Sequence, residues 1–123
     1  MKTFIFGIIL AAFFSVNACK AADAKENYSK PDIKQLVKSG NAVLVDVRIP
    51  EQFAKETAEG AINIPLSEIQ NKSKSLKGKK VVVFCNKGIQ ADKAVEILKR
   101  KGIEVYDGTS LKNIQAIQNV KTQ

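Results

Sequence analysis

The stretch Val81–Gln90, VVVFCNKGIQ, decides how the rest of the chain is read. An apolar run stops abruptly at Cys85, a short polar turn with a glycine follows, and ADKAVEILKR (Ala91–Arg100) continues with Ala91, Ala94, Val95 and Leu98 at helical spacing. A short apolar run bounded by turn residues is a buried strand, and the periodic segment after it is an amphipathic helix over Ile89–Arg100. Cys85 therefore stands at the carboxyl end of a strand, where a helix begins. In a strand–turn–helix of this kind, backbone N–H groups and the positive end of the helix dipole favour a thiolate over a thiol. The alternative is that Cys85 is simply the last buried residue of a core strand.

Outward from this stretch, strands and helices alternate. Ile33, Leu36 and Val37 predict a helix with Pro31 in its first turn, ended by Gly40. AVLVDV (Ala42–Val47) reads as a strand covered on both faces. A short helix opened by Pro50 follows, then a short strand AINIP stopped by Pro65, then another short helix over Leu66–Lys72 with Ser67 as a candidate cap. KSKSLKGKK (Lys72–Lys80) reads as a basic surface loop. After Gly102, IEVYD is the last strand, and Ser110 caps a final helix, LKNIQAI. This alternation predicts an α/β domain with a mostly parallel central sheet flanked by helices. Sites in such sheets form outside the carboxyl ends of strands, where Cys85, Asp46 and Arg48 all fall.

The chain of 123 residues allows one small core, placed at residues 31–120. The N-terminus is read separately. Lys2, an apolar run from Phe4 to Phe14 and then small residues have the layout of a secretory signal over residues 1–18. Val16-Asn17-Ala18-Cys19 resembles a bacterial lipobox, which would make Cys19 a lipidated first residue and a membrane tether. Ordinary cleavage after Ala18, Ala22 or Ala24 is the alternative. Residues 19–30 then form a polar tether, and the protein is expected to be exported to the periplasm or cell envelope. Cys85 is the one cysteine within the domain, so no intradomain disulfide can form. A free thiol in an exported protein is either well buried or kept for its chemistry.

The chain has no histidine, which removes the usual general base and the usual metal ligand. No metal or cofactor is called for. The net charge of +8 suits a lysine-rich soluble surface, or attraction to small anions or anionic lipid. Aromatic residues make up 7% with no tryptophan, and no aromatic–basic motif appears, so nucleic acid is not an expected partner.

Two longer stretches carry a family resemblance. LVDVRIPEQFAKETAEGAINIPLSEI (Leu44–Ile69) holds Asp-x-Arg, then Pro-Glu-Gln-Phe, then Gly-Ala-x-Asn-Ile-Pro; VVVFCNKGIQADKAVEILKRKGIEVYDGTSLKNI (Val81–Ile114) holds strand, cysteine loop, helix, edge strand and final helix. In this order and spacing they resemble the single-domain rhodaneses, the small periplasmic ones in particular. The resemblance implies a rhodanese-like fold and a Cys85 nucleophile that takes sulfur from thiosulfate and passes it to cyanide or a thiol. It implies that the backbone amides of Asn86, Lys87, Gly88, Ile89, Gln90 and Ala91 cradle the persulfide. Asp46 and Arg48 match the first-strand motif, as supporting residues or as a plain ion pair. The departures are Ile89 and Gln90 where many family loops carry an arginine, and Thr57 where many members carry a histidine. Lys87 is then the one side-chain cation of the loop. A non-enzymatic anion- or partner-binding module, and a redox carrier acting through Cys85, are the rival readings; a phosphatase fits loop length and composition poorly.

Overall fold

The computed structural model describes residues 32–120. The signal over residues 1–18, Cys19, the tether over residues 19–30 and Pro31 lie outside the described residues. In chain order the elements are α1 (Ile33–Ser39), β1 (Ala42–Asp46), α2 (Pro50–Lys55), β2 (Ile62–Asn63), α3 (Ile69–Lys72), β3 (Lys80–Cys85), α4 (Ile89–Arg100), β4 (Glu104–Ser110) and α5 (Leu111–Asn119). Short 3₁₀ turns flank α3, at Leu66–Glu68 and Ser73–Leu76. The four strands form one all-parallel sheet in the order β2-β1-β3-β4.

Strand alternation divides the core between two helical layers. Val45, Val81, Val83 and Cys85 face Ile69, Leu76, Ala91, Ala94 and Leu98, on the side of α3 and α4. Leu44, Val82, Phe84 and Tyr106 face Leu36, Val37, Leu111, Ile114 and Ile117, on the side of α1 and α5. Both faces of β3 are thus covered, which is why its sequence is continuously apolar rather than alternating. Because all strands run the same way, the ends of β1 and β3 lie side by side. Their register pairs Asp46 with Phe84, and Val47 donates a backbone bond to Phe84 at 3.0 Å.

Ser110 caps α5 as read from the sequence, whereas α1 begins only at Ile33, with Asp32 as its cap, rather than with Pro31 in its first turn. Asp32 accepts from the Lys34 amide at 3.0 Å, and Ser110 from that of Asn113 at 3.1 Å. Three further local expectations are corrected. Lys72–Lys80 is not a plain surface loop: Ser73 and Leu76 are buried in the 3₁₀ turn, Leu76 within the α4-side core. A single leucine in a lysine-rich run gives no periodicity to read, yet it is enough to pin the segment down. Ser67 caps nothing; it is exposed within the Leu66–Glu68 turn, and Pro65 occupies the position before it. The last strand does not end at Asp107 but continues to Ser110, through a register shift opposite Val83 and Cys85.

Gly108 lies in that irregular part of β4, closely packed against its neighbours. A Cβ there would come within 2.8 Å of Val82 Cγ1, 2.9 Å of Ile114 Cδ1 and 2.9 Å of the Val83 carbonyl oxygen. Backbone cannot yield as a side-chain tip can. Gly108→Ala is expected to cost about 1–3 kcal/mol in urea denaturation, the range for overpacking a filled core.

Candidate active site

Cys85 is the last residue of β3 and is 2% exposed. The chain then turns through Asn86 and Lys87, both exposed, into Gly88 with φ +92°. That left-handed angle is strained for an L side chain, and a Cβ at Gly88 would also stand 3.2 Å from Thr109 Cγ2. Gly88 is the N-cap of α4 and has no side chain to satisfy the first-turn amides. The sulfur takes that part. Cys85 Sγ accepts from the Gly88 N–H at 3.0 Å and from the Ala91 N–H at 3.4 Å. Ala91 is the third helical residue, whose amide a capping serine or aspartate would otherwise receive. Two amide dipoles and the N-terminus of a twelve-residue helix thus converge on one sulfur atom, an arrangement that favours negative charge there. On its other side the thiol donates to the Thr109 carbonyl at 3.7 Å.

A cavity of about 430 Å³ opens onto Cys85, rimmed by Gln52, Asn86, Lys87, Ile89, Gln90 and Lys93. The structure therefore gathers the loop residues singled out in the sequence around one buried sulfur with one open approach. Ile89 is 65% exposed at this mouth. Lys87 has a companion cation in Lys93, one helical turn into α4. Gln52 and Lys93 were not singled out from the sequence. Gln52 arrives from α2, and nothing local to either residue marks it as facing the cysteine.

Behind the loop lies a buried ion pair. Asp46 is wholly buried and Arg48 is 5% exposed. Asp46 Oδ1 accepts from the Arg48 backbone N–H at 3.0 Å and from Nε at 3.0 Å, and Oδ2 accepts from Nη2 at 2.7 Å. These hydrogen bonds hold the Arg48 guanidinium above its ordinary pKa, against the opposing effect of burial. Arg48 Nη2 also donates to the Glu56 carbonyl, and Nη1 donates to Asn86 Oδ1 at 3.1 Å. That last bond joins the end of β1 to the cysteine loop. Thr57 donates its hydroxyl to Asp46 Oδ2 at 2.9 Å. Asn63 donates to the carbonyls of Asp46 and Arg48, each at 2.9 Å. The roles of Thr57, Asn63 and the Asn86 side chain were not legible as contacts, although all three lie in the two quoted motif stretches.

Thr109 is a further unanticipated residue. It has φ +67°, unusual for a β-branched side chain. Its N–H is held by Asp107 Oδ1 at 2.8 Å, and this turn of β4 directs its carbonyl at Cys85 Sγ.

Similarity to known proteins points to one family and fold. The family model for the rhodanese-like domain matches residues 29–111. The thiosulfate sulfurtransferase PspE of Escherichia coli K12 is 42% identical over 81 residues, covering 63% of this chain and 77% of that protein. The thiosulfate:glutathione sulfurtransferase of Homo sapiens is 32% identical over 98 residues, covering 65% of this chain and 85% of that one. A solved structure described as a rhodanese with anions from E. coli superposes with a TM-score of 0.55 at 39% identity, covering 58% of this chain and 89% of that chain.

Removing one partner of the buried pair leaves the other charge without compensation. Arg48→Leu is expected to lose about 3–5 kcal/mol of stability by denaturant titration. Adding Asp46→Asn to it should recover part of that loss, because a neutral amide then replaces the orphaned carboxylate.

Proposed function

The chain belongs to the rhodanese-like domain family, and from that premise we propose that it is an exported sulfurtransferase carrying sulfane sulfur on Cys85. The observation that carries the reading is the pair of amides, Gly88 and Ala91, aimed at a buried sulfur beneath an open cavity with a cationic rim. Export rests on the signal-like stretch over residues 1–18, and anchoring on Cys19 within its lipobox-like context.

The donor is thiosulfate or a related sulfane compound. It enters past Lys87 and Lys93, whose charges attract an anion. The Cys85 thiolate attacks the outer sulfur of thiosulfate. A bond forms between Sγ and that sulfur, the S–S bond of thiosulfate breaks, and sulfite leaves with its electron pair. The negative charge now sits on the terminal sulfur of the persulfide, one bond further towards the loop and helix amides that surround Sγ. Those donors are fixed by backbone geometry, so they stabilise the charge with little reorganisation. Cyanide or a thiol then attacks the terminal sulfur, and the electron pair of the breaking bond returns to Cys85. The result is a ping-pong cycle through one covalent intermediate. The nucleophile is the thiolate form of the cysteine, so the attack itself transfers no proton. Asp46 and Arg48 act indirectly in this reading: through Asn86 they hold the loop whose amides form the cradle.

Two measurements test this. Incubation with thiosulfate should raise the intact mass by one sulfur atom and support thiocyanate formation from cyanide, and Cys85→Ser should abolish both. A folded, reduced protein that gains no sulfur contradicts the reading. The Ile89 side chain offers an anion at the cavity mouth no hydrogen bond. Ile89→Arg should therefore lower the KM for thiosulfate by about tenfold to a hundredfold, the equivalent of a charge-assisted hydrogen bond of roughly 1.5–3 kcal/mol.

A further inference from the structure

The positive charge of the domain is not spread evenly. Two segments, 72–80 and 99–101, carry eight lysines and arginines and no carboxylate. Over the rest of residues 32–120, seven cations are outnumbered by ten carboxylates, so the net positive charge of the described residues comes from these two segments alone. All eight cations are exposed. Lys72 pairs with Glu68 at 3.2 Å; among the described residues the other seven form no ion pair. Glu104, the register partner of Lys80, accepts from the Tyr106 hydroxyl.

The fold gathers the two segments. Because β3 and β4 are parallel, α4 must return the chain from the carboxyl end of one to the amino end of the other, so its basic end lies by the start of β3 at Lys80. A cavity of about 390 Å³ marks the juxtaposition: Lys74, Lys77 and Lys101 line it with Gln70, Asn71 and Ser73, and no acidic residue does. Buried Leu76 pins the 3₁₀ turn to the core, so the lysines around it form a fixed array rather than a loose loop. The dipole of α4 accounts for Lys99 and Arg100 in its last turn. It does not account for Lys77, Lys79 and Lys80, which follow a 3₁₀ turn and open a strand. Cys85 stands at the other end of β3, about 17 Å away at the rise of a parallel strand.

We propose that this basic face, at the amino ends of the strands, docks the domain on an anionic lipid surface and turns the opposite edge, with Cys85, towards solvent. The partner follows from the charge. Eight cations spread over two segments complement an extended array of negative headgroups better than one small anion, and each lysine near such a surface adds about fivefold to the partition. The two segments hold no aromatic side chain on which a nucleic-acid base could stack. The twelve residues from 20 to 31 reach roughly 40 Å when extended, long enough to let any face meet a bilayer. An anchor at Cys19 would therefore not select the face that docks; the charge selects it. The contact depends neither on sulfur transfer nor on lipidation of Cys19.

The test measures partition of the full chain onto vesicles of phosphatidylcholine alone or of an equimolar mixture with phosphatidylglycerol. The apolar stretch over residues 1–18 is common to every variant, so the ratio of the two partition coefficients isolates the charge-dependent part. Replacing Lys74, Lys77 and Lys101 together by glutamine should lower that ratio by about a hundredfold. Replacing Lys34, Lys38 and Lys112 by glutamine removes the same net charge from α1 and α5, and should lower it by less than about threefold. All six positions are exposed, and a urea midpoint checks that each variant folds. Lys79→Gln with Lys80→Gln is a second variant of the face, expected to lower the ratio by about twenty-five-fold. Salt at about 0.5 M, which shortens the Debye length to about 4 Å, should remove the preference of the wild type. On the vesicles a water-soluble reagent should alkylate Cys85 at its rate in the free protein, read on its own peptide so that Cys19 does not contribute. A wild type with no preference for phosphatidylglycerol, an equal loss in the two charge-matched variants, or protection of Cys85 overturns the proposal. A wild type that ignores the lipid but binds polyglutamate through the same lysines also overturns it, and gives the face to an acidic protein.

Discussion

A carboxylate removed from water must be given hydrogen bonds or it will not stay charged. Asp46, wholly buried at the end of β1, imposes that condition on everything around it. Arg48 answers it with its backbone N–H, Nε and Nη2, and Thr57 adds a hydroxyl. The guanidinium still has donors to place, and it places them on the Glu56 carbonyl and on Asn86. A buried ion pair is weak evidence for stability in itself, because desolvation offsets most of the attraction. Its value here is positional. The planar guanidinium fixes directions, and one of those directions reaches the loop that follows Cys85.

The cysteine loop and the buried pair are products of the same topology. Parallel strands deliver their carboxyl ends to one edge, so the turn after β1 and the turn after β3 must meet. Gly88 then closes the second turn in a conformation that leaves α4 without a side-chain cap. The unsatisfied amides of a helix start are a defect in most settings. Here the Cys85 sulfur atom takes up two of them, and in the proposed function they are the cradle for the transferred sulfur. On the opposite side the carbonyl of Thr109 accepts from the sulfur, and it comes from a β-branched residue in a left-handed conformation. Irregular backbone on both sides of one sulfur atom is characteristic of sites where geometry is maintained at some cost in stability.

The parts of this arrangement that were legible in the sequence are those with a local signal. The apolar run of β3, the helical spacing of Ala91, Ala94 and Leu98, and the abrupt change at Cys85 each follow from side-chain periodicity, and together they require a strand–loop–helix. Asp46 and Arg48 could be placed at the same edge as that loop because they too stand at the carboxyl end of a strand in a parallel sheet. The contacts between Arg48 and Asn86 could not, because they join residues far apart in sequence through side chains whose direction depends on tertiary packing. Gln52 and Lys93 at the cavity mouth are hidden for the same reason: a polar residue on a helix looks the same whether it faces a site or bulk water. Leu76 was missed because a lone leucine among lysines has no period, and Thr109 because nothing in its type suggests a positive φ.

The central claim is that the amides of Gly88 and Ala91 form the cradle in which Cys85 carries sulfur. It is tested most directly by a crystal structure of the protein after treatment with thiosulfate. The account predicts an additional sulfur atom bonded to Cys85 Sγ, turned towards the loop and within hydrogen-bonding distance of backbone N–H groups between Asn86 and Ala91. A modified cysteine whose extra sulfur points away from those amides, or an unmodified Cys85 in protein competent to bind the donor, would contradict it.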